Sequence, residues 1–269
     1  MSVSAAFEKG RADDRAALVG YLPAGFPTVD AGISALRAMV EAGCDVIEIG
    51  LPYSDPVMDG PTIQAAAQRA LEGGVRTRDV LRTVEAVAAT GTPTLVMTYW
   101  NPVERYGVER FAADLAAAGG AGLITPDLTP DAGGAWIAAA DAHDLDKVFL
   151  VAPSSTDERL AMTTAACRGF VYAAAVMGVT GARATTSELG EPLVARAKAT
   201  LEDQRRDTPV AVGIGVSNGE QAAEVAAYAD GVIVGSAFVR CLLDEDEPAA
   251  GLRALTALTD DLARGVRRA

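Results

Sequence analysis

The sequence predicts an α/β fold, a (β/α)8 TIM barrel with an extra N-terminal helix and extra helices in the βα connections. Three observations predict it. Eight short runs rich in β-branched residues recur along the 269 residues, separated by alanine-rich stretches with helical patterns. That alternation is the signature of a parallel sheet. The runs are apolar almost throughout, as strands buried on both faces must be. The length also suits one closed barrel, so residues 1–269 are read as a single domain.

The elements follow in order. "VSAAFEKG" (3–10) is a helix expected to close the barrel bottom. The strands are "ALVGY" (17–21), "DVIEI" (45–49), "TLVMTY" (94–99), "AGLIT" (121–125), "KVFLV" (147–151), "GFVYAA" (169–174), "PVAVGI" (209–214) and "GVIVG" (231–235). Helical spacing is plain in "VDAGISALRAMVEAG" and "ERFAADLAAAGG". The gap after the second strand is long enough for two helices, "GPTIQAAAQRALEGG" and "TRDVLRTVEAVAATG". After the sixth strand comes "MGVTGARATTSELGEP", rich in Gly, Thr and Ser. Long loops after barrel strands are where such folds carry function. The tail "PAAGLRALTALTDDLARGVRRA" is an amphipathic helix whose arginines suit its C-terminal end. The rival is an open doubly wound sheet, which favours a GxGxxG turn after the first strand; "VGYLPAGFP" has none.

Composition excludes several classes. A net charge of −13 repels phosphate backbones, so nucleic-acid binding is not expected. No run reaches membrane-spanning length and the N-terminus lacks an apolar signal core. Cys44, Cys167 and Cys241 are scattered and odd in number, which fits reduced thiols in a cytoplasmic protein. A single histidine, His143, disfavours a His-rich metal site. It lies in the helical stretch "AWIAAADAHDLD" and reads as a solvated surface residue.

Two groups of residues bear chemistry. Glycine loops follow strands six, seven and eight: "VTGAR", "GIGVS" and "GSAFVR". Each alone is an ordinary turn; together, at adjacent barrel loops, they suit a phosphate held by backbone amides. Ser236 is placed to cap the short helix that follows. The second group lies in "VIEIGLPYSDPVMDGPTIQ" (46–64). Alternation sends Val46 and Glu48 to one side of the strand, Ile47 and Ile49 to the other. A glutamate facing a barrel interior loses hydration, which raises its pKa and suits it to give and take protons. The alternative is an ion pair with a neighbouring strand, and the strands offer few cations. Asp55, in "SDP", reads first as a turn former. Asp59 precedes Pro61, a first-turn proline, so it either caps that helix or faces a ligand. Tyr172 reads as core, with a hydroxyl that wants a partner.

These stretches together resemble the tryptophan synthase alpha chain family. The resemblance runs over nearly the whole chain. It includes "YLPAGFP", "IEIGLPYSDPVMDGPTIQ", "MTYWNPVERYG", "LITPDLTPDAG", "YAAAVMGVTGAR", "GIGVS" and "GSAFVR". It implies a lyase that splits indole-3-glycerol phosphate into indole and glyceraldehyde 3-phosphate by retro-aldol cleavage. By motif, Glu48 is the acid/base and Asp59 the partner of the indole nitrogen. Tyr172 is a tyrosine near the catalytic glutamate, and Thr180 the threonine of a loop, running to Gly190, that closes over the mouth. Tyr21, Tyr99 and Ile124 line the indole pocket. Gly181, Ile214, Gly215, Gly235 and Ser236 take the phosphate.

The resemblance further implies no metal and no cofactor in this chain. PLP is expected only in a partner beta chain, with which the alpha chain forms an α2β2 tetramer. The sequence departs from many relatives at Phe26, where they carry Asp, at Ile214, where some carry Phe, and in "AAAVMGVTG". Two other readings stand beside it. One is a different phosphate-binding barrel, such as an isomerase of a phosphorylated sugar or anthranilate derivative. The other is a regulatory subunit, whose Pro52, Pro56 and Pro61 stiffen a docking loop at the barrel mouth.

Overall fold

The computed structural model describes residues 2–175, 186–245 and 247–267. Its strands are β1 (Ala17–Pro23), β2 (Val46–Gly50), β3 (Thr94–Met97), β4 (Gly122–Thr125), β5 (Asp146–Val151), β6 (Val171–Ala174), β7 (Val210–Gly213) and β8 (Gly231–Val234). They form a closed parallel barrel in chain order. Closure comes from β1 pairing with β8, with Ala17 opposite Gly231 and Gly20 opposite Val234.

Strand alternation sorts the side chains into two shells. Val19, Val46, Leu95, Ile124, Val148, Phe170, Ala211 and Ile233 pack together inside the bore. Leu18, Ile47, Ile49, Val96, Leu123, Phe149, Val212 and Val232 face outward into the larger core beneath the helices. A strand covered on both sides can contain almost no polar residue, which is why the runs read as apolar.

The helices are α1 (Ser4–Ala12), α2 (Val29–Glu41), α3 (Pro61–Glu72), α4 (Thr77–Ala88), α5 (Trp100–Tyr106) and α6 (Val108–Ala117). They continue with α7 (Gly134–Ala142), α8 (Asp157–Ala166), α9 (Thr186–Asp203), α10 (Gly219–Ala226), α11 (Ser236–Leu243) and α12 (Pro248–Gly265). α1 is the expected extra N-terminal helix. Its Phe7, with Val3, is buried among the bore residues, 5.3 Å ring to ring from Phe170. Asp146, fully buried, accepts the Val3 N–H at 2.8 Å and ties this floor to β5. The long gap after β2 does hold two helices, α3 and α4.

Three expectations need correction. The third strand ends at Met97 rather than residue 99: Tyr99 is the N-cap residue of α5, a helix the hydrophobic pattern did not reveal. The reason is tertiary, because the Trp100 N–H donates to the Asp127 carboxylate at 2.9 Å and so starts a helix there. His143 is exposed, as expected, but it terminates α7 instead of lying within it. Ser236 does not cap α11; Gly235 takes that position and Ser236 is the first helical residue.

Candidate active site

The C-terminal ends of the strands open into a cavity of about 510 Å³. Its wall is built from inward positions near the strand ends: Tyr21, Glu48, Met97, Leu150, Tyr172, Gly213 and Ile233. Residues 58–63, from the β2 loop and the start of α3, form a second side. Ile214, Gly215, Gly235, Ser236 and Arg240 form a third. A larger concavity of about 720 Å³ lies on a different part of the surface, near α1 and the start of β1. Its Arg15 is already held by Asp45 through contacts of 2.6 and 2.8 Å, and none of the candidate site residues lies there. The candidate residues Tyr21, Glu48, Asp59 and Tyr172 line the smaller cavity.

Glu48 is 0% exposed, and neither carboxyl oxygen has a hydrogen-bond partner among the described residues. Burial pushes its pKa from the ordinary 4.5 up to about 8. Among the described residues no cation offsets the desolvation, and none forms the ion pair that the sequence left open. The group is a carboxylic acid at neutral pH that loses its proton within reach of physiological conditions.

Asp59 is half-buried on the same cavity. It does not cap α3; that position belongs to Gly60, followed by Pro61 at the first turn. Burial raises its pKa, and the Tyr99 hydroxyl pulls it back down. The same hydroxyl accepts the Met58 N–H at 3.0 Å, while Gln64 Nε2 donates to the Asp59 carbonyl at 2.7 Å. Tyr99 therefore braces the loop that carries Asp59, and it is not among the cavity-lining residues. Ile124 is buried within the bore and does not reach the cavity wall. Asp55 is exposed and accepts the Ser54 hydroxyl at 2.6 Å, a local turn contact.

Tyr21, opposite Glu48 in the pairing of β1 with β2, and Tyr172 of β6 line the same cavity as Glu48. Burial raises both phenols, and the charges of Glu48 and Asp59 push them further the same way, so both remain neutral donors. Each stands over a glycine. A Cβ on Gly50 would lie 2.2 Å from the Tyr21 hydroxyl, and one on Gly213 would lie 2.5 Å from the Tyr172 hydroxyl. The two glycines make the room that lets the phenols turn into the cavity.

The strand 7 and strand 8 loops meet at one side of this space. Gly215 has φ +82°, and a Cβ there would meet no atom of the described residues within 4 Å. No side chain caps α11, so its first amides are not engaged by a cap. Ile214 is buried beside them, whereas Phe26, another departure, is fully buried in the outer core away from the cavity. Thr180 and Gly181, and most of the stretch leading to Gly190, lie outside the described residues. The sequence reading missed Met97, Leu150, Ile233 and Arg240. The first three were accessible from alternation, lying two residues beyond Leu95, Val148 and Gly231 on the inward face. Among the described residues no cluster of metal-ligating side chains occurs.

Comparison with known proteins agrees with this fold. A family model described as tryptophan synthase alpha chain matches residues 7–267. The tryptophan synthase alpha chain of Salinispora arenicola is 62% identical over 265 residues, spanning 98% of this chain and 97% of that protein. That of Acidothermus cellulolyticus is 61% identical over 269 residues, spanning 99% and 97%. A crystal structure of tryptophan synthase from M. tuberculosis superposes with a TM-score of 0.90 at 55% identity, covering 99% of each chain. The chain thus belongs to the tryptophan synthase alpha chain family, lyases that cleave indole-3-glycerol phosphate.

Proposed function

We propose that Glu48 and Asp59 perform the cleavage of indole-3-glycerol phosphate, with the indole seated among Tyr21, Tyr172, Leu150 and Ile233 and the phosphate at the β7 and β8 loops. The observation that carries this assignment is the buried, unpartnered Glu48 with its pKa near 8, on one wall of a cavity whose other walls hold Asp59 and the glycine loops.

The chemistry accounts for the residue types. Breaking the bond between indole C3 and the glycerol carbon directly leaves a carbanion at C3. Protonated Glu48 first gives its proton to C3, placing positive charge on the ring system. Ionised Asp59 accepts the ring N–H and balances that charge. The Glu48 carboxylate then removes the proton from the adjacent hydroxyl. The O–H electron pair becomes the carbonyl of glyceraldehyde 3-phosphate, and the C–C pair returns to the ring to regenerate neutral indole. One carboxyl with a raised pKa serves both steps. Binding of the phosphate orients the scissile bond. Tyr99 supports the process through Asp59 by fixing the loop.

We further infer a beta-chain partner carrying PLP, assembled as α2β2, in a cytoplasmic setting. The partner is supported by the β2 loop, where Val57 and Met58 stand 77% and 50% exposed between stiffening prolines at the cavity mouth. The setting is supported by free Cys44, Cys167 and Cys241, and by the lack of any helix, among the described residues, long and apolar enough to cross a membrane. Residues 1–269 are read as one barrel domain.

Indole release from indole-3-glycerol phosphate, measured with and without a beta chain, tests the assignment. Glu48→Gln is expected to lose about 10²–10⁴-fold in kcat while still binding inorganic phosphate. Near-parental turnover by that variant overturns the role of Glu48.

A further inference from the structure

We propose that Arg240 is the cation that recognises the charge of the substrate's phosphate. The proposal rests on the reading that the β7 and β8 loops hold that phosphate, and it goes beyond it by assigning a side chain.

Among the described residues lining the cavity, Arg240 is the one cation; the lining also carries Glu48 and Asp59. The chain as a whole carries −13. A phosphate dianion approaching such a surface is repelled, and backbone amides contribute only partial charges. A full positive charge at the same end of the cavity changes that balance.

Arg240 lies four residues after Ser236 on α11, so the two share one face of the helix. Long helical side chains lean toward the helix N-terminus. That direction carries the guanidinium back along α11 toward Gly235 and Ser236. Ala237, Phe238 and Val239 are buried against the barrel, whereas Arg240 is exposed and makes no ion pair among the described residues. Asp244, one turn further on, does not hold it. An arginine in the last turn of a helix also suits the helix dipole. That role changes stability and leaves ligand affinity untouched, so the two are separable by measurement.

The test uses the whole chain and its Arg240→Gln and Arg240→Lys variants. The readouts are KM and kcat for indole release, and competitive inhibition by inorganic phosphate and by indole. For Arg240→Gln, KM and the phosphate inhibition constant are expected to rise about five- to tenfold, as for one exposed charge-assisted contact. The kcat should stay within about twofold, inhibition by indole should not change, and Arg240→Lys should restore most of the loss. Raising the salt concentration should narrow the gap between parent and Arg240→Gln. Unchanged KM and phosphate inhibition in Arg240→Gln overturn the proposal, as does equal weakening of phosphate and indole. Ser236→Asp serves as the control for the underlying reading. If it leaves phosphate inhibition intact, the phosphate site itself is misplaced; if it abolishes inhibition while Arg240→Gln does not, only the role of Arg240 falls.

Discussion

At the scale of the residue, Glu48 sets the pH behaviour. In the proposed mechanism its protonated form starts the reaction, so kcat/KM should fall as pH rises through about 8, a limb absent from any residual activity of Glu48→Gln. The stability consequence has a definite sign. The folded state holds the proton up to about 8, while the unfolded chain releases it near 4.5. The contribution of Glu48 is therefore fully present below pH 4.5 and is lost as pH rises through 8. Relative to the parent, Glu48→Gln should gain stability across that window, by at most on the order of 5 kcal/mol, as read by denaturant unfolding at pH 4.5 and 8.5. An unchanging difference between the two proteins would contradict the burial argument. Asp59→Asn should lower kcat by about 10²-fold, since a neutral amide cannot balance charge on the ring; retained activity would leave Asp59 a structural residue.

At the scale of the element, the β2 loop is held from β3 and the start of α5. Tyr99 acts on Asp59 by lowering its pKa and on Met58 by accepting its N–H. Tyr99→Phe removes both effects. The acid limb of kcat/KM, where Asp59 takes up a proton, should move to higher pH, and the fold should lose about 1 kcal/mol. A profile that does not move would separate Tyr99 from Asp59. On the facing wall, Gly213 makes room for Tyr172. Gly213→Ala should displace that ring and lower kcat/KM about tenfold or more, an estimate for a misplaced active-site group, with a smaller change in Tm. Parental kinetics would show that the ring position is not needed.

At the scale of the whole molecule, the catalytic mouth and the barrel floor are separate. Val3 and Phe7 seal the bottom of the bore, and Asp146 anchors the segment that bears them. Phe7→Ala should cost about 3–5 kcal/mol by opening a cavity in the bore. Below its lowered Tm, kcat for indole release should match the parent, because the cavity wall is untouched. A fall in kcat that parallels the fall in stability would show that the floor and the mouth are coupled.

Several features were determined by the sequence alone. Eight apolar runs separated by helical patterns imply a parallel barrel, because only strands buried on both faces tolerate such composition. Period-two alternation turns Glu48 inward, and an inward carboxylate must be desolvated. Glycine spacing after the last strands marks the loops proposed to hold the phosphate. Tertiary structure decided the rest, because it depends on groups far apart in the chain. Asp127 starts α5 at Trp100 and thereby cuts β3 short. Gly60, not Asp59, takes the cap of α3, which leaves the Asp59 carboxylate for the cavity. Tyr99 proves a brace and Ile124 a packing residue of the bore, since which inward side chains reach the mouth depends on the relative register of strands around the barrel. Nothing in the sequence marked Arg240; folding brought it to the wall of the cavity that holds Glu48.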